Sequence, residues 1–347
     1  GQALSFWAMT TLVAPIAGPL IGGVIADNLA WEWIFYVNIP IGMLCAMTVW
    51  GVYRARETPR LKLPIDYIGL ILLILWVGAL QLLLDKGREL DWFGSPLIVS
   101  LGIVAVVAFA LFVVWELTDE HPVVDLRIFS HRSFTAAILA MSLIFGVFFG
   151  YIVLLPLWLQ TWLGYTSLQA GLAVAPMGIL AIVMAFIVGA TLKRVDPRIY
   201  ATLALSVFVV VFFWRSNINA DVDFHNVWLP QLAVGLGMTT LFLPLTVVGL
   251  SDLKPSQIAT ASGLQNFVRT LFGAFGAAAA TSYWDDGVVR HHAELASHVS
   301  LHSAATRQAL DHLSALGLPP QAQMQIVEHM IDQQAAVMAL SDYLLLA

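Results

Sequence analysis

Long apolar runs separated by short polar connections dominate this chain. Nine runs are long enough, at roughly 20 residues each, to cross a hydrocarbon core of about 30 Å. They cover residues 4–26, 34–53, 66–84, 96–117, 134–158, 168–191, 199–216, 227–250 and 258–283, and a tenth begins near residue 342. Because the bilayer core holds no water to hydrogen-bond the backbone, each run is predicted to be an α-helix. The pattern therefore predicts an all-α, polytopic membrane protein with nine complete transmembrane helices.

The segment 284–341 departs from this pattern, because it is polar and carries six of the nine histidines. Gly317 and the pair Pro319-Pro320 divide it, as helix stop and start signals do. It is predicted to form two short amphipathic helices outside the membrane. Their apolar positions are Leu295, Val299, Leu310 and Leu313 in the first helix and Val327, Met330 and Ile331, next to Gln334, in the second. These stripes can pack on each other, on the membrane interface or on a partner protein.

Composition supports a membrane location. Hydrophobic residues make up 59% of the chain and charged residues only 11%, whereas a soluble domain contains about 25% charged residues. The single cysteine, Cys45, cannot form an intrachain disulfide. No P-loop pattern is present, which argues against an ATP-driven pump. The composition therefore excludes a soluble fold, and the sequence predicts neither a cofactor nor a nucleic-acid partner.

Lysine and arginine divide unevenly between the two sides of the predicted bundle. Ten of the sixteen lie in four loops, 54–65, 118–133, 192–198 and 251–257. Cytoplasmic loops of membrane proteins carry an excess of cationic residues. Loop 54–65 is therefore predicted to be cytoplasmic, and the segment 284–341 to be periplasmic.

A cluster of glycine and proline in the first span is the strongest local motif: Gly18, Pro19, Gly22 and Gly23. In a helix interior, glycine and proline cost about 1 and 3 kcal/mol relative to alanine. Gly18 and Gly22 lie on one face, where a neighbouring helix can approach closely, and Pro19 removes a backbone hydrogen bond and bends the span. Ordinary small-residue helix packing is the other interpretation of this pattern.

Gly18-Pro19-x-x-Gly22-Gly23 resembles the end of the antiporter motif of drug exporters, although Ser5 and Ala14 stand where the fuller pattern has glycine. Further matches follow along the chain: Trp31-Glu32-Trp33-Ile34-Phe35, Asn38-x-Pro40-Ile41-Gly42, Asp66-x-x-Gly69, Gly87 with Trp92, Pro122-x-x-Asp125-Leu126-x-x-Phe129, and Asn266-x-x-Arg269-x-x-x-Gly273-x-x-Gly276. Together they resemble the EmrB/QacA-type drug:proton antiporters of the major facilitator superfamily. The long polar segment before the last helix favours the EmrB branch.

The resemblance implies two helical bundles that rock about a central cavity, with the nine spans as helices five to thirteen of the family. We expect an interior fragment, whose absent first four helices would carry the coupling acid. The implied divisions are the last two helices of the N-terminal bundle (1–53), two extra linker helices with cytoplasmic loops (54–133), helices of the C-terminal bundle (134–283), a periplasmic amphipathic segment (284–341) and the start of a truncated final helix (342–347).

The resemblance also implies a function, namely multidrug efflux across the cell inner membrane by proton antiport. The implied partners are the lipid bilayer, small hydrophobic drugs, protons, a periplasmic adaptor of the EmrA type and an outer-membrane channel of the TolC type. An exporter of another substrate, such as a lipid or a siderophore, is the alternative. A membrane-embedded enzyme and a non-transporting scaffold or sensor are rivals from other classes. No enzyme activity is predicted, because no Ser/His or paired-acid arrangement is evident at membrane depth.

Asn266 and Arg269 form an intramembrane polar pair, because residues three apart share a helix face. Arg269 either pairs at the interface between the bundles or extends to the near headgroups, and both interpretations remain open. Three other ionisable residues lie at span ends and are interpreted as interfacial anchors: Asp66, Glu116 and Arg215.

Phe145 and Phe149, with Gln160 further along the same span, are the candidate lining of a substrate cavity. Flexible and aromatic surfaces suit promiscuous binding, and contact with lipid or with the core is the alternative. His291, His298 and His302 share a face in the polar segment. A closed zinc site needs four ligands, so no metal site is predicted.

Overall fold

The computed structural model describes residues 17–54, 64–192, 194–217, 222–299 and 303–347. Within these ranges the regular structure is entirely helical, which confirms the predicted all-α class. The helices are α1 (17–28), α2 (Trp33–Tyr36), α3 (Asn38–Tyr53), α4 (Tyr67–Lys86), α5 (Pro96–Thr118), α6 (Arg132–Trp162), α7 (Ser167–Val174), α8 (Pro176–Thr191), α9 (Pro197–Ser216), α10 (Phe224–Ser251), α11 (Ile258–His298), α12 (Ala304–Ala315) and α13 (Pro320–Leu346).

Seven segments of the described chain are long and apolar enough to cross a membrane. They are Trp33–Tyr53, Tyr67–Lys86, Pro96–Thr118, Arg132–Trp162, Ser167–Thr191, Pro197–Ser216 and Phe224–Ser251. The predicted count of nine differs at two places. The first predicted span begins among residues that are not described, and the last belongs to α11, whose apolarity is diluted by polar side chains such as Gln265, Asn266 and Arg269. The protein is a multi-pass membrane protein.

Local sequence explains where several helices begin. Pro96, Pro176 and Pro197 occupy first-turn positions, where the N–H that proline lacks would have no partner within the helix. Thr166 and Gln169 form a capping box at the start of α7, because each side chain accepts a hydrogen bond from the backbone N–H of the other residue. These signals separate α7 from α6 and fix the direction in which the chain re-enters the bundle.

Helices α6 to α11 and α13 share one continuous apolar core. Its largest fully buried members include Tyr151 and Trp158 of α6. The α4–α5 pair packs on this bundle through a second cluster, in which Trp76 of α4 meets Phe267 of α11 edge to face with ring centroids 5.8 Å apart. The two predicted linker helices are therefore docked against the bundle through aromatic contacts.

The end of the chain differs from the predicted boundaries. Helix α11 runs unbroken through residue 284 to His298, and the last helix begins at Pro320 rather than near residue 342. Among the described residues of the polar segment, only α12 is a short helix. The second half of α13 is buried in the bundle, because its small side chains, Ala335, Ala336 and Ala339, allow close approach.

Hydrogen bonds explain how this polar sequence can enter the bundle. Gln333 Nε2 donates to the Trp162 carbonyl oxygen at 2.6 Å, and Tyr343 Oη donates to the Val147 carbonyl oxygen at 2.8 Å. Trp284 Nε1 donates to the Ala336 carbonyl oxygen at 3.0 Å. Polar groups that are paired in this way cost little to bury, which is why average polarity misplaced the helix start.

Candidate functional site

Three phenylalanines from two helices meet on one side of the bundle. Phe145 and Phe149 lie one turn apart on α6, and their rings stack with centroids 5.5 Å apart. Phe242 of α10 meets Phe145 edge to face at 5.6 Å. Offset-stacked and edge-to-face arrangements are the preferred geometries of aromatic pairs. These three rings, called the aromatic wall below, form a rigid apolar surface.

A cation borders the aromatic wall. The guanidinium carbon of Arg269 on α11 lies 5.0 Å from the centre of the Phe145 ring, within cation–π range. Arg269 Nη2 also donates to Asn266 Oδ1 at 2.7 Å. Arg269 Nε is buried and has no hydrogen-bond partner. The structure thus brings the predicted polar pair together and places it beside the predicted cavity lining, a proximity that residue spacing alone does not indicate.

A cleft of about 600 Å³ opens beside Phe145 and Phe149. Its volume lies within the range of about 300–1,000 Å³ that is typical of small-molecule sites. Small residues of α11, namely alanine and threonine, line the cleft together with the two rings. The cleft is lined by Gln81, Leu84 and Asp85 of α4, by Phe145 and Phe149, and by Thr270, Ala274, Ala277, Ala278 and Thr281 of α11.

Gln160 does not join this cleft. It is exposed near the end of α6, where its Nε2 donates to the Pro156 carbonyl oxygen at 3.1 Å and its Oε1 accepts from Ser167 Oγ at 3.0 Å. The side chain therefore links α6 to the start of α7. Its placement differs from the prediction because Gln160 lies about three turns beyond Phe149 along α6.

The glycine motif of α1 makes a close contact with α7. A Cβ at position 23 would lie 2.7 Å from the Ser167 carbonyl oxygen, and a Cβ at Gly171 would lie 2.5 Å from the Pro19 carbonyl oxygen. A Cβ at Gly18 or Gly22 would meet no described atom within 4 Å. Among the described residues, the close approach therefore uses Gly23 and not the predicted face.

Asp27 completes the contact between α1 and α7. Its two carboxylate oxygens accept hydrogen bonds from the backbone N–H groups of Ser167, at 3.1 Å, and of Leu168, at 2.8 Å. Carboxylates at helix N-termini are favourable because the first N–H groups have no partner within the helix. The bond from Leu168 is the main reason that the pKa of Asp27 lies below its ordinary value. Asp27 was not among the residues predicted from the sequence; its only sequence signal is its position one turn beyond the glycine motif.

The three residues interpreted as interfacial anchors are buried instead. Arg215 is 1% exposed, its guanidinium lies 5.5 Å from the centre of the Tyr151 ring, and its Nη2 donates to the Val227 carbonyl oxygen. Asp66 is 9% exposed and Glu116 is fully buried. The anchor interpretation was wrong, because neighbouring helices cover these span ends.

The described histidines of the polar segment do not converge on one site. His291 is buried and its Nε2 lies 2.8 Å from Asp342 Oδ2, whereas His298 is exposed and its Nδ1 lies 2.9 Å from the Glu294 carbonyl oxygen. His302 lies outside the described residues. Across the described ranges, no group of three or more histidine, cysteine, aspartate or glutamate side chains could hold a metal ion.

Comparison with known proteins agrees with this architecture. Residues 1–277 match the family model of the Major Facilitator Superfamily. The chain is 43% identical to the fatty acid resistance protein FarB of Neisseria gonorrhoeae, over 99% of this chain and 68% of FarB. It is 40% identical to the multidrug export protein EmrB of Escherichia coli K12, over 98% of this chain and 67% of that protein.

The EmrB of Haemophilus influenzae is 42% identical, over 92% of this chain and 62% of its own length. The chain thus spans about two thirds of the length of these relatives, and the family match covers all seven candidate spans. The family model describes transporters, which agrees with the helical, multi-span architecture. The chain therefore belongs to the major facilitator superfamily and is an EmrB-type membrane transporter.

Proposed function

We propose that this chain is the larger part of a multidrug exporter, which moves hydrophobic or amphipathic compounds outward across the cell inner membrane by proton antiport. The observation that carries the proposal is the cleft beside the aromatic wall. Aromatic rings supply apolar contact area that does not depend on the exact shape of the ligand. The threonines, Gln81 and Asp85 supply polar contacts at its edge. A binding site of this kind suits substrates that share amphipathic character rather than one structure.

The orientation in the membrane is part of the proposal. Loop 54–65 is cytoplasmic and the segment 284–341 is periplasmic, because the cationic residues divide in that way. Helix α6 then begins at the cytoplasmic side and ends at the outer side, where α7 starts. The contact of Asp27 and Gly23 with α7 consequently lies on the outer side. We propose that this contact opens when a substrate is released outward.

A second candidate substrate class is an amphipathic anion, such as a fatty acid. The observation that favours it is Arg269, whose buried Nε has no hydrogen-bond partner beside an apolar wall. A half-buried guanidinium with one unpaired N–H stabilises an incoming carboxylate through a charge-assisted hydrogen bond. The name of the related fatty acid resistance protein is consistent with this chemistry. An exporter of lipid-like anions is therefore the alternative within the same fold.

The partners follow from the EmrB resemblance. We propose a periplasmic adaptor of the EmrA type and an outer-membrane channel of the TolC type, in addition to protons and the bilayer. The described end of the chain offers exposed apolar side chains for such an adaptor. They lie between α12 and the first half of α13 and include Leu316, Met324 and Met330.

The test is transport by the full-length protein that contains this chain, in cells and in proteoliposomes. Phe145→Ala and Phe149→Ala are expected to lower efflux of a hydrophobic cationic dye several-fold. Phe213→Ala is the matched control, because Phe213 of α9 is 65% exposed and lies outside the cleft. Equal efflux by all three variants would contradict the assignment of the cleft.

Arg269→Gln separates the two substrate classes. If the substrate is an amphipathic anion, this variant should lose fatty-acid export and keep dye export. If the substrates are neutral or cationic drugs, dye export should be unchanged or improved and fatty-acid export should be absent from the wild type as well. Insertion into the membrane is checked by protein level for each variant.

A further inference from the structure

A buried pair of carboxyl groups lies where α4 begins and α5 ends. Asp66 is the N-cap of α4, and its Oδ1 accepts two hydrogen bonds, from the Gly69 backbone N–H at 2.8 Å and from Trp115 Nε1 at 2.9 Å. Its other oxygen, Oδ2, is buried without a hydrogen-bond partner. One oxygen of this carboxyl group therefore accepts two hydrogen bonds, and the other accepts none.

Glu116 of α5 has the same asymmetry. Its Oε2 accepts the backbone N–H of Val124 at 3.0 Å, which ties the end of α5 to the loop that follows it. Its Oε1 is buried without a hydrogen-bond partner. Glu116 is 0% exposed, so bulk solvent does not reach this oxygen. Leaving a buried polar group unpaired costs about 1–3 kcal/mol, and more for a charged group.

Asp66 Oδ2 and Glu116 Oε1, the two oxygens without hydrogen-bond partners, lie next to the same residue, Gly69. A Cβ at position 69 would collide with both Asp66 Oδ2 and Glu116 Oε1. Glycine at position 69 therefore lets the two carboxyl groups approach each other over the backbone of α4. This geometry gives the Asp66-x-x-Gly69 pattern a physical reason: the aspartate caps the helix, and the glycine makes space for the second acid.

No described cation compensates the pair. Neither carboxyl group forms an ion pair with a described lysine, arginine or histidine. The charged neighbour on the same helix end is Asp119, which is itself acidic. Arg127, from the loop packed on α5, directs its guanidinium to the Leu117 carbonyl oxygen at 3.4 Å. The α11 face that packs on α4 contributes apolar side chains such as Phe267.

Two adjacent carboxylates in a buried site cannot both be ionised, and such pairs hold one proton between them. A metal ion is a poorer occupant, because calcium takes 6–8 oxygen ligands and magnesium needs an octahedral set. Only two oxygens are free here, and the Gly69 backbone closes one side. We propose that Asp66 and Glu116 form a proton-binding site, in which one proton on one carboxyl group is donated to the facing oxygen of the other.

The shared proton joins three parts of the chain: the start of α4, the end of α5 and the loop at Val124. When the proton is present, it forms a hydrogen bond between Asp66 Oδ2 and Glu116 Oε1. This bond holds α4 and α5 together at this end. When the pair loses the proton at alkaline pH, the two carboxylates repel each other. The folded state then loses stability as pH rises. This site lies on the two predicted linker helices and is separate from the proposed transport cleft.

The test is infrared spectroscopy of the full-length protein in membranes, titrated from neutral to alkaline pH. The wild type is expected to show a carboxylic-acid C=O band at neutral pH that disappears at alkaline pH. Glu116→Gln and Asp66→Asn should both lack this band, because an amide N–H replaces the shared proton. Asp119→Asn, which changes the neighbouring acid outside the pair, should retain it.

Thermal stability supplies the second measurement. The melting temperature of the wild type should fall towards alkaline pH, whereas Glu116→Gln and Asp66→Asn should lose most of that fall. Absence of the band from the wild type at neutral pH overturns the proposal, as does its persistence in both amide variants. A rise in wild-type melting temperature with added calcium or sodium that Glu116→Gln abolishes also overturns it, because the occupant is then a metal cation.

Discussion

Gly23 of α1 lies directly against the backbone of Ser167, the first residue of α7, at a distance that leaves no room for a side chain. The contact explains the second glycine of the Gly22-Gly23 pair. Gly171 makes the reciprocal approach to Pro19. Together these glycines let α1 and α7 meet backbone to backbone, which is how small residues promote helix association in membranes.

Gly23→Leu is therefore expected to abolish most export by the full-length protein. A leucine at position 23 must push α1 and α7 apart, and such overpacking costs about 1–3 kcal/mol. Gly22→Leu, one residue away, is the matched comparison. The glycine motif by itself predicts that Gly22→Leu impairs export, yet the described residues leave space around position 22. Dye efflux, normalised to protein level, measures both variants, and a larger defect for Gly22→Leu would contradict the α1–α7 contact as the critical one.

Asp27→Ala should weaken the closure between α1 and α7. The carboxylate accepts two N–H bonds from the start of α7, and this lowers the pKa of Asp27. An acid whose pKa is lowered in the folded state stabilises that state at any pH above its ordinary pKa. The stabilisation is lost only when the pH falls through the lowered pKa. The contact should consequently persist at neutral and mildly acidic pH.

The measurement for Asp27 is labelling of a cysteine placed at Pro19 by a membrane-impermeant thiol reagent. Labelling should be several-fold faster with Asp27→Ala. Asp223→Ala is the control, because Asp223 lies at the start of α10 and its side chain makes no cap bond. Equal labelling in both backgrounds would show that Asp27 does not hold the contact closed.

Two residues in the apolar stripe of α13 differ in exposure, and we expect different effects from their substitution. Val327 is 8% exposed and Met330 is 56% exposed. Met330→Ser should weaken co-purification with the periplasmic adaptor and lower drug resistance in cells, while transport in proteoliposomes survives. Val327→Ser should lower the melting temperature instead, because it removes a buried apolar side chain. Loss of proteoliposome transport in Met330→Ser would mean that the stripe serves the carrier itself.

The membrane orientation predicts the accessibility of two cysteines. One replaces Arg60 and the other Ser300, both outside the described residues, in a Cys45→Ser background because the native Cys45 is exposed. In intact cells with a permeable outer membrane, an impermeant reagent should label position 300 and not position 60. Labelling of position 60 alone would reverse the proposed topology.

The family and the all-α membrane class could be predicted from sequence, because both depend on local properties. An apolar run of membrane length must be helical wherever it lies in the chain, and motifs such as Gly18-Pro19-x-x-Gly22-Gly23 keep their spacing in any conformation. Reliance on local polarity also explains one helix boundary that was predicted wrongly. Average polarity placed the start of the last helix near residue 342, whereas α13 begins at Pro320 and pairs Gln333 with a carbonyl oxygen of α6.

Sequence alone determined which residue types were available for function, and only the tertiary structure decided which of them meet. The contacts of Arg269 with Phe145, of Asp27 with Leu168 and of Asp66 with Glu116 each join different helices, separated along the chain by intervening segments. No helical periodicity predicts such contacts, because they depend on how the helices cross and how far each one is rotated. Burial is decided in the same way, since neighbouring helices and loops cover the span ends that hold Arg215 and Glu116.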